Sequence, residues 1–149
     1  MNALLYVVNV EAVVWDAAQG KYLMIVRGMT EEIAPGTLTP PGGKVEVTGL
    51  VQDILEQTLR REVREEVGVE LKDGFAYVES HSFDAVAVTI VDIVFLARYE
   101  SGEPHAEDDE EVAAIEWLTY DELMSDPRTM AWTRDIMRLA ESRRQELGW

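Results

Sequence analysis

The chain contains no cysteine, which excludes disulfides, thiolate metal sites and a cysteine nucleophile. This agrees with a cytoplasmic home, the location expected here. Histidine is nearly as scarce: His81 and His105 are too far apart in sequence to form a ligand pair by local spacing, and neither is assigned a role. No apolar run approaches the roughly 20 residues of a membrane-spanning helix. Met1-Asn2 leads straight into a strand-like segment without a basic targeting region, so a soluble protein with no membrane partner is expected. Positive charge is short as well, with 13 Lys and Arg against 29 Asp and Glu, a formal net charge of -16. Such a chain is poorly equipped to neutralise a phosphate backbone, and no polymeric nucleic acid is expected as a partner. A small polyphosphate is a different case, because bound cations reverse the local field.

What is present is ample apolar material: 47% of 149 residues, enough to bury a proper core in one domain spanning residues 1–149. Leu4 to Trp15 and Lys21 to Arg27 read as a strand hairpin around Asp16-Ala17-Ala18-Gln19-Gly20, and Gly28 to Pro40 as a loop. Phe75 to Phe83 and Val88 to Tyr99 are two further strands around Asp84-Ala85. The second is apolar on both faces, as a central strand is, apart from Asp92, which is expected either in the active cavity or paired with an interior arginine. Asn9 and Glu11 interrupt the strand from Leu4 to Trp15 on one face and are costly there unless they face a polar cavity. Ser101 to Glu111 is an acidic loop, Ala113 to Thr119 a strand, and Asp121-Glu122-Leu123 a helix start. From Arg128 to the end runs a last helix with Trp132, Ile136, Met137 and Ala140 as its apolar stripe, which packs on the sheet or supplies a homodimer contact. Strands and helices in this mixed order predict an α/β fold, a mixed sheet between helices.

The chemistry concentrates between Pro41 and Val69. Leu50 to Val67 lacks proline and internal glycine, which predicts one helix closed by Gly68 in a left-handed cap. At about 100° per residue Val51, Leu55, Thr58 and Leu59 form one stripe. The same line continues into Glu62, Glu65 and Glu66. Carboxylates converging on a half-buried line repel one another unless a cation sits among them, and hard oxygen donors favour magnesium, or manganese in its place, over zinc. An ordinary surface helix with pairs such as Arg61 to Glu65 satisfies the same pattern. Upstream, Pro41-Gly42-Gly43 offers a backbone that bends tightly and can lend a carbonyl to a metal.

Glycine turn and acidic helix together resemble the box of the Nudix hydrolases, in which a glycine and a glutamate precede Arg-Glu-hydrophobe-x-Glu-Glu-x-Gly-hydrophobe. Arg61 to Val69 matches at every specified position. The first half departs: four extra residues separate Gly43 from Arg61, and Asp53 stands where the family has its first glutamate. Four residues are about one helical turn, so the excess can enter helix or loop without rotating the later carboxylates off their face.

The resemblance implies the α/β/α sandwich of that family and hydrolysis of a nucleoside diphosphate linked to another group, by water attack at phosphorus. It implies metal ligands at Gly43, Glu62, Glu65 and Glu66, and an orienting role for Arg61. The general base stays open among Glu65, Glu66 and Glu111, where Glu110 competes with Glu111 for the late acidic position. Substrate-contact candidates are Glu11, because the family lays its substrate over this sheet, together with Arg27 and Lys44. Glu46 is a further outer ligand candidate, and Tyr6, Trp15, Tyr77 and Phe83 either stack a base or fill the core. Two rival readings remain: a non-catalytic nucleotide sensor, which the acidic set disfavours, and isopentenyl diphosphate isomerisation, which calls for a cysteine. The substrate is not fixed, because the box reads only pyrophosphate and metal.

Overall fold

A computed structural model describes residues 5–149. Its strands are β1 (Tyr6–Asp16), β2 (Lys21–Arg27), β3 (Leu38–Thr39), β4 (Gly42–Lys44), β5 (Glu70–Leu71), β6 (Ala76–Ala85), β7 (Val88–Ser101) and β8 (Val112–Leu118). The helices are α1 (Ile54–Val67), α2 (Tyr120–Ser125) and α3 (Ala131–Leu147). The sheet is mixed: β1 and β7 run parallel from Tyr6 beside Thr89 to Trp15 beside Arg98, while β2, β4, β6 and β8 pair antiparallel with their neighbours. β7 is central, as its two apolar faces predict. No helix among the described residues is long and apolar enough to cross a membrane.

Alternation along β1 divides the core into two layers. Val10, Ala12 and Val14 meet Leu59, Val63 and Val67 of α1 on one face. Val13 and Trp15 join Leu123 of α2 and Ile136, Met137 and Ala140 of α3 on the other. The result is the expected α/β/α sandwich.

Several expectations are corrected. Helix α1 begins at Ile54 rather than Leu50, because Gly49 (φ 83°) and Asp53 (φ 52°) both adopt left-handed backbone that a helix cannot include. The four extra residues therefore enter the loop 45–53 and leave the helix unlengthened. The C-terminal cap stands as predicted, with Gly68 at φ 71° and its N–H bonded to the Arg64 carbonyl. The buried stripe of α1 continues through Val63 and Val67, so the glutamates flank the core line instead of extending it. Part of the expected glycine turn, Gly42 to Lys44, is a short strand, and the loop before it contains β3. Helix α3 starts at Ala131, and Trp132 leaves the predicted stripe, 57% exposed beside buried Ile136, Met137 and Ala140. The expected start of the first strand at Leu4 lies outside the described residues.

Candidate active site

β4 lies between the middle of β1 and the inward side of α1. Its register sets Asn9 beside Lys44, Val10 beside Gly43 and Glu11 beside Gly42. Both glycines are required by proximity. A methyl at Gly42 would run into the Val10 carbonyl, and one at Gly43 would run into the Glu62 carboxylate. Glu62 thus lies directly over the Gly43 backbone, while Glu66 accepts a hydrogen bond from the Gly42 N–H at 3.1 Å.

Arg61 straddles helix and strand. Its Nη2 donates to the Lys44 carbonyl at 3.1 Å and to Glu62 Oε1 at 2.9 Å, fixing that carboxylate against β4. Its Nε is buried without a partner among the described residues. The two inward glutamates bear an electrostatic load. Burial raises the Glu62 carboxyl above its usual range; Arg61 opposes the rise, and the charges of Glu65 and Glu46 add to it. Glu66 is pushed up to about 7, first by burial, and then by Glu111 and Glu62, against the opposing Gly42 N–H.

These residues open on one cavity of about 660 Å³, lined by Glu11, Arg27, Lys44, Glu62, Glu66 and Glu111 among others. The volume suits a small-molecule site. Arg27 is held at the wall by its Nε bond to the Ile33 carbonyl at 2.8 Å and by Glu31 at 3.3 Å. Lys44 makes no ion pair among the described residues. Glu11 accepts from Thr39 Oγ1 at 3.3 Å, and burial together with neighbouring Asp92 raises its carboxyl well above the usual range. Glu65 and Glu110 are exposed and do not line the cavity, and neither does Asp53.

Whether a divalent cation suits this donor set is decided by the chemistry of the side chains. Among the described residues no three histidine, aspartate or glutamate side chains stand together as a group able to hold a metal ion by themselves, so any ion here draws on the Gly43 carbonyl or on the substrate as well. Yet Glu62 and Glu66 are hard oxygen donors whose proton affinity burial and neighbouring carboxylates raise, and an added cation relieves that load. The donors fit such an ion.

The polar floor of the cavity is built from the residues that interrupt the apolar strands, Asn9 and Glu11 in β1 and Asp92 in β7, as a polar cavity over the sheet requires. The expected alternative for Asp92, an interior arginine, is replaced by Asn9. Asp92, noted as an interruption of β7, is 2% exposed and accepts from Asn9 Nδ2 at 2.7 Å. His81 stands next to it on β6. The available signal was the pair of polar residues, Asn9 and Asp92, each breaking an apolar strand; only the pairing of β1 with β7 brings them together.

The geometry agrees with known proteins. By structure the chain is similar to the MutT protein from Methanosarcina mazei Go1, at a TM-score of 0.77 and 21% identity over 97% of this chain and 99% of that one. It is also similar to the MutT NUDIX hydrolase from Burkholderia pseudomallei, at 0.72 and 26% over 91% and 98%. The NUDIX domain of Shewanella oneidensis NrtR, solved with ADP ribose, gives 0.69 and 20% over 99% and 90%. Comparison with curated proteins returned no match. The NUDIX domain model, however, matches residues 5–140, nearly the whole of the sandwich and every residue of the acidic site, and on that match the chain belongs to the Nudix family.

Proposed function

We propose that this Nudix pyrophosphohydrolase cleaves the phosphoanhydride of a nucleoside diphosphate linked to another group. The observation that carries the reading is the closure of Glu62 and Glu66 over the Gly42–Gly43 backbone, with Glu111 near enough to raise the Glu66 carboxyl. A similar domain, that of NrtR, was solved with ADP ribose, which supports a ligand of this class.

The Gly43 carbonyl, Glu62 and Glu66 would hold magnesium, or manganese in its place, with Glu65 joining from the exposed side of the same helix turn. When bound, such a cation neutralises phosphate charge and lowers the pKa of a water. Arg61 keeps Glu62 aimed by its fork between that carboxylate and the Lys44 carbonyl. Arg27 and Lys44 meet phosphate oxygens from two walls of the cavity. Glu111, facing Glu66 across the cavity, receives the proton of the attacking water, so that water forms the new P–O bond as the bridging oxygen leaves with a phosphoryl product. Glu11 contacts the substrate from the sheet.

The test is release of mononucleotide or inorganic phosphate from a panel of nucleoside triphosphates, ADP-ribose, dinucleoside polyphosphates and nucleotide sugars. Glu65→Gln, Glu66→Gln and Glu111→Gln are run beside the parent. Turnover that requires magnesium and falls about a hundredfold or more in Glu111→Gln is the expected result. Binding without turnover across the panel would replace the hydrolase by a nucleotide sensor.

A further inference from the structure

The carboxylate of Glu111 lines the cavity with Glu66 and Arg27, yet it makes no hydrogen bond or ion pair to protein among the described residues. A base that must accept a proton cannot be pinned through the oxygens it uses, so its aim has to come from its backbone.

That backbone is held on both sides. On the N-terminal side Asp108 closes the turn: its Oδ1 accepts from the Glu110 N–H at 2.9 Å and from the Glu111 N–H at 3.4 Å. Its carbonyl accepts from the Val112 N–H at 2.9 Å. Aspartate closes turns in this way, and its charge strengthens the bond to an N–H. On the C-terminal side the Glu111 carbonyl accepts from the Gly28 N–H at 3.0 Å, one residue past Arg27. Gly28 is buried, and a methyl there would run into the Glu110 carbonyl, so only glycine lets the two segments touch.

Strand register explains why Glu111 and not Glu110 enters the cavity. β2 and β8 pair regularly from Tyr22 beside Leu118 to Val26 beside Ala114, and then skip: Arg27 stands beside Val112, leaving Ala113 as the extra residue of a bulge. Val112 therefore takes the buried place opposite Arg27, and Glu111 comes against Gly28. An unbroken ladder would set Val112 against Gly28 and carry Glu111 one residue farther from Arg27. The neighbouring acids contribute nothing to this hold. Glu107 pairs with His105, and exposed Asp109 makes no hydrogen bond or ion pair among the described residues.

We propose that Asp108 is a positioning residue for the hydrolysis, fixing Glu111 across the cavity from Glu66 by capping the turn that Gly28 seats. Asp108 does not line the cavity, so it acts only through the Glu111 backbone. Its role rests on the proposed function, in which Glu111 receives the proton of the attacking water. A reacting group displaced by about 1 Å can lose on the order of a hundredfold in rate, which gives a turn outside the cavity its leverage.

The rate constants kcat and KM are measured with magnesium on the substrate that the panel identifies. The proteins are the parent, Asp108→Ala, Asp108→Asn, Asp109→Ala, Glu111→Gln and the double variant Asp108→Ala, Glu111→Gln. Asp108 is exposed, so its variants fold as the parent does. Asp108→Ala is expected to lower kcat about tenfold or more with KM within about twofold, because the turn takes no part in binding. Asp108→Asn keeps the accepting Oδ1 and restores most of the rate, while Asp109→Ala changes nothing. The double variant falls no further than Glu111→Gln, since a residue that acts through Glu111 has nothing left to position. A second readout needs neither magnesium nor turnover: amide hydrogen exchange speeds up at Glu110 and Glu111 in Asp108→Ala and not in Asp108→Asn. The positioning role alone is overturned if Glu111→Gln is impaired while Asp108→Ala matches the parent or loses through KM. It is overturned equally by exchange that stays as in the parent, by a double variant well below Glu111→Gln, or by Asp108→Asn as slow as Asp108→Ala, which would assign the effect to charge. Glu111→Gln as active as the parent removes Glu111 from the proposed function and Asp108 with it, and a parent that turns over nothing in the panel overturns both.

Discussion

Arg61 bonds both to a carboxylate of its own helix and to a carbonyl of the neighbouring strand, so its geometry matters more than its charge. Arg61→Lys keeps the charge and loses the fork. Steady-state hydrolysis with magnesium is expected to fall roughly 10- to 100-fold, with the thermal midpoint nearly unchanged. An activity equal to that of the parent would leave Arg61 without the orienting role. A second, structural cluster sits on the opposite face, where Glu141 of α3 accepts from the Tyr22 hydroxyl and from Arg144 Nη2 at 2.6 Å. Arg144 foremost, helped by the Tyr22 hydroxyl, holds the Glu141 carboxyl below its usual range, although burial opposes this. A depressed carboxylate contributes stability above its unfolded pKa and loses it as pH falls through the folded value. Glu141→Gln should therefore cost about 1.5–3 kcal/mol near neutral pH, narrowing as pH falls below about 4. Denaturant melts of both proteins at several pH values check this, and a cost that persists at low pH would contradict it.

The β4 strand tests how backbone proximity builds the site. Gly42→Ala forces a methyl against the Val10 carbonyl, which is backbone and cannot turn aside, so a loss of about 1–3 kcal/mol in stability is expected. Gly43→Ala meets only the Glu62 side chain, which can swing away. That variant should fold almost as well as the parent and hydrolyse poorly; parallel melts and assays distinguish the pair, and an active Gly43→Ala would detach Glu62 from the site. The same strand shows where sequence reading stopped. The order of the longer elements was legible, since alternation in β1 and β7, the Gly68 cap and the Arg61–Val69 pattern are all local signals. The start of α1 was not, because Leu50 to Asp53 have tolerable helix formers, and the left-handed backbone of Gly49 and Asp53 is settled by the surrounding loop. Glu62, Glu66, Arg61 and Glu111 were named from sequence and converge in the structure. Glu65, of equal standing in the pattern, is exposed, and no local signal separates it from Glu66, whose contact with Gly42 depends on tertiary packing. The Asn9–Asp92–His81 row required strand register, which one sequence does not contain.

Charge acts over the molecule as a whole. A formal charge of -16 makes the folded state repel itself, and any salt relieves part of that repulsion by screening. Magnesium should do more, because Glu62 and Glu66 are the carboxylates whose proton affinity is raised first by burial and then by neighbouring carboxylates, Glu65 and Glu46 for the one and Glu111 and Glu62 for the other. Stabilisation by a site-bound ion follows its concentration over its dissociation constant, about 2.7 kcal/mol at a hundredfold excess, whereas screening depends only on ionic strength. Protein stripped with chelator is therefore expected to melt several degrees higher with magnesium chloride than with sodium chloride at equal ionic strength. The double variant Glu62→Gln, Glu66→Gln should lose that difference yet keep the increment common to both salts. If the double variant still distinguishes magnesium from sodium, the ion is held elsewhere on the acidic surface, and the cavity carboxylates would need another reason to stand together over Gly42 and Gly43.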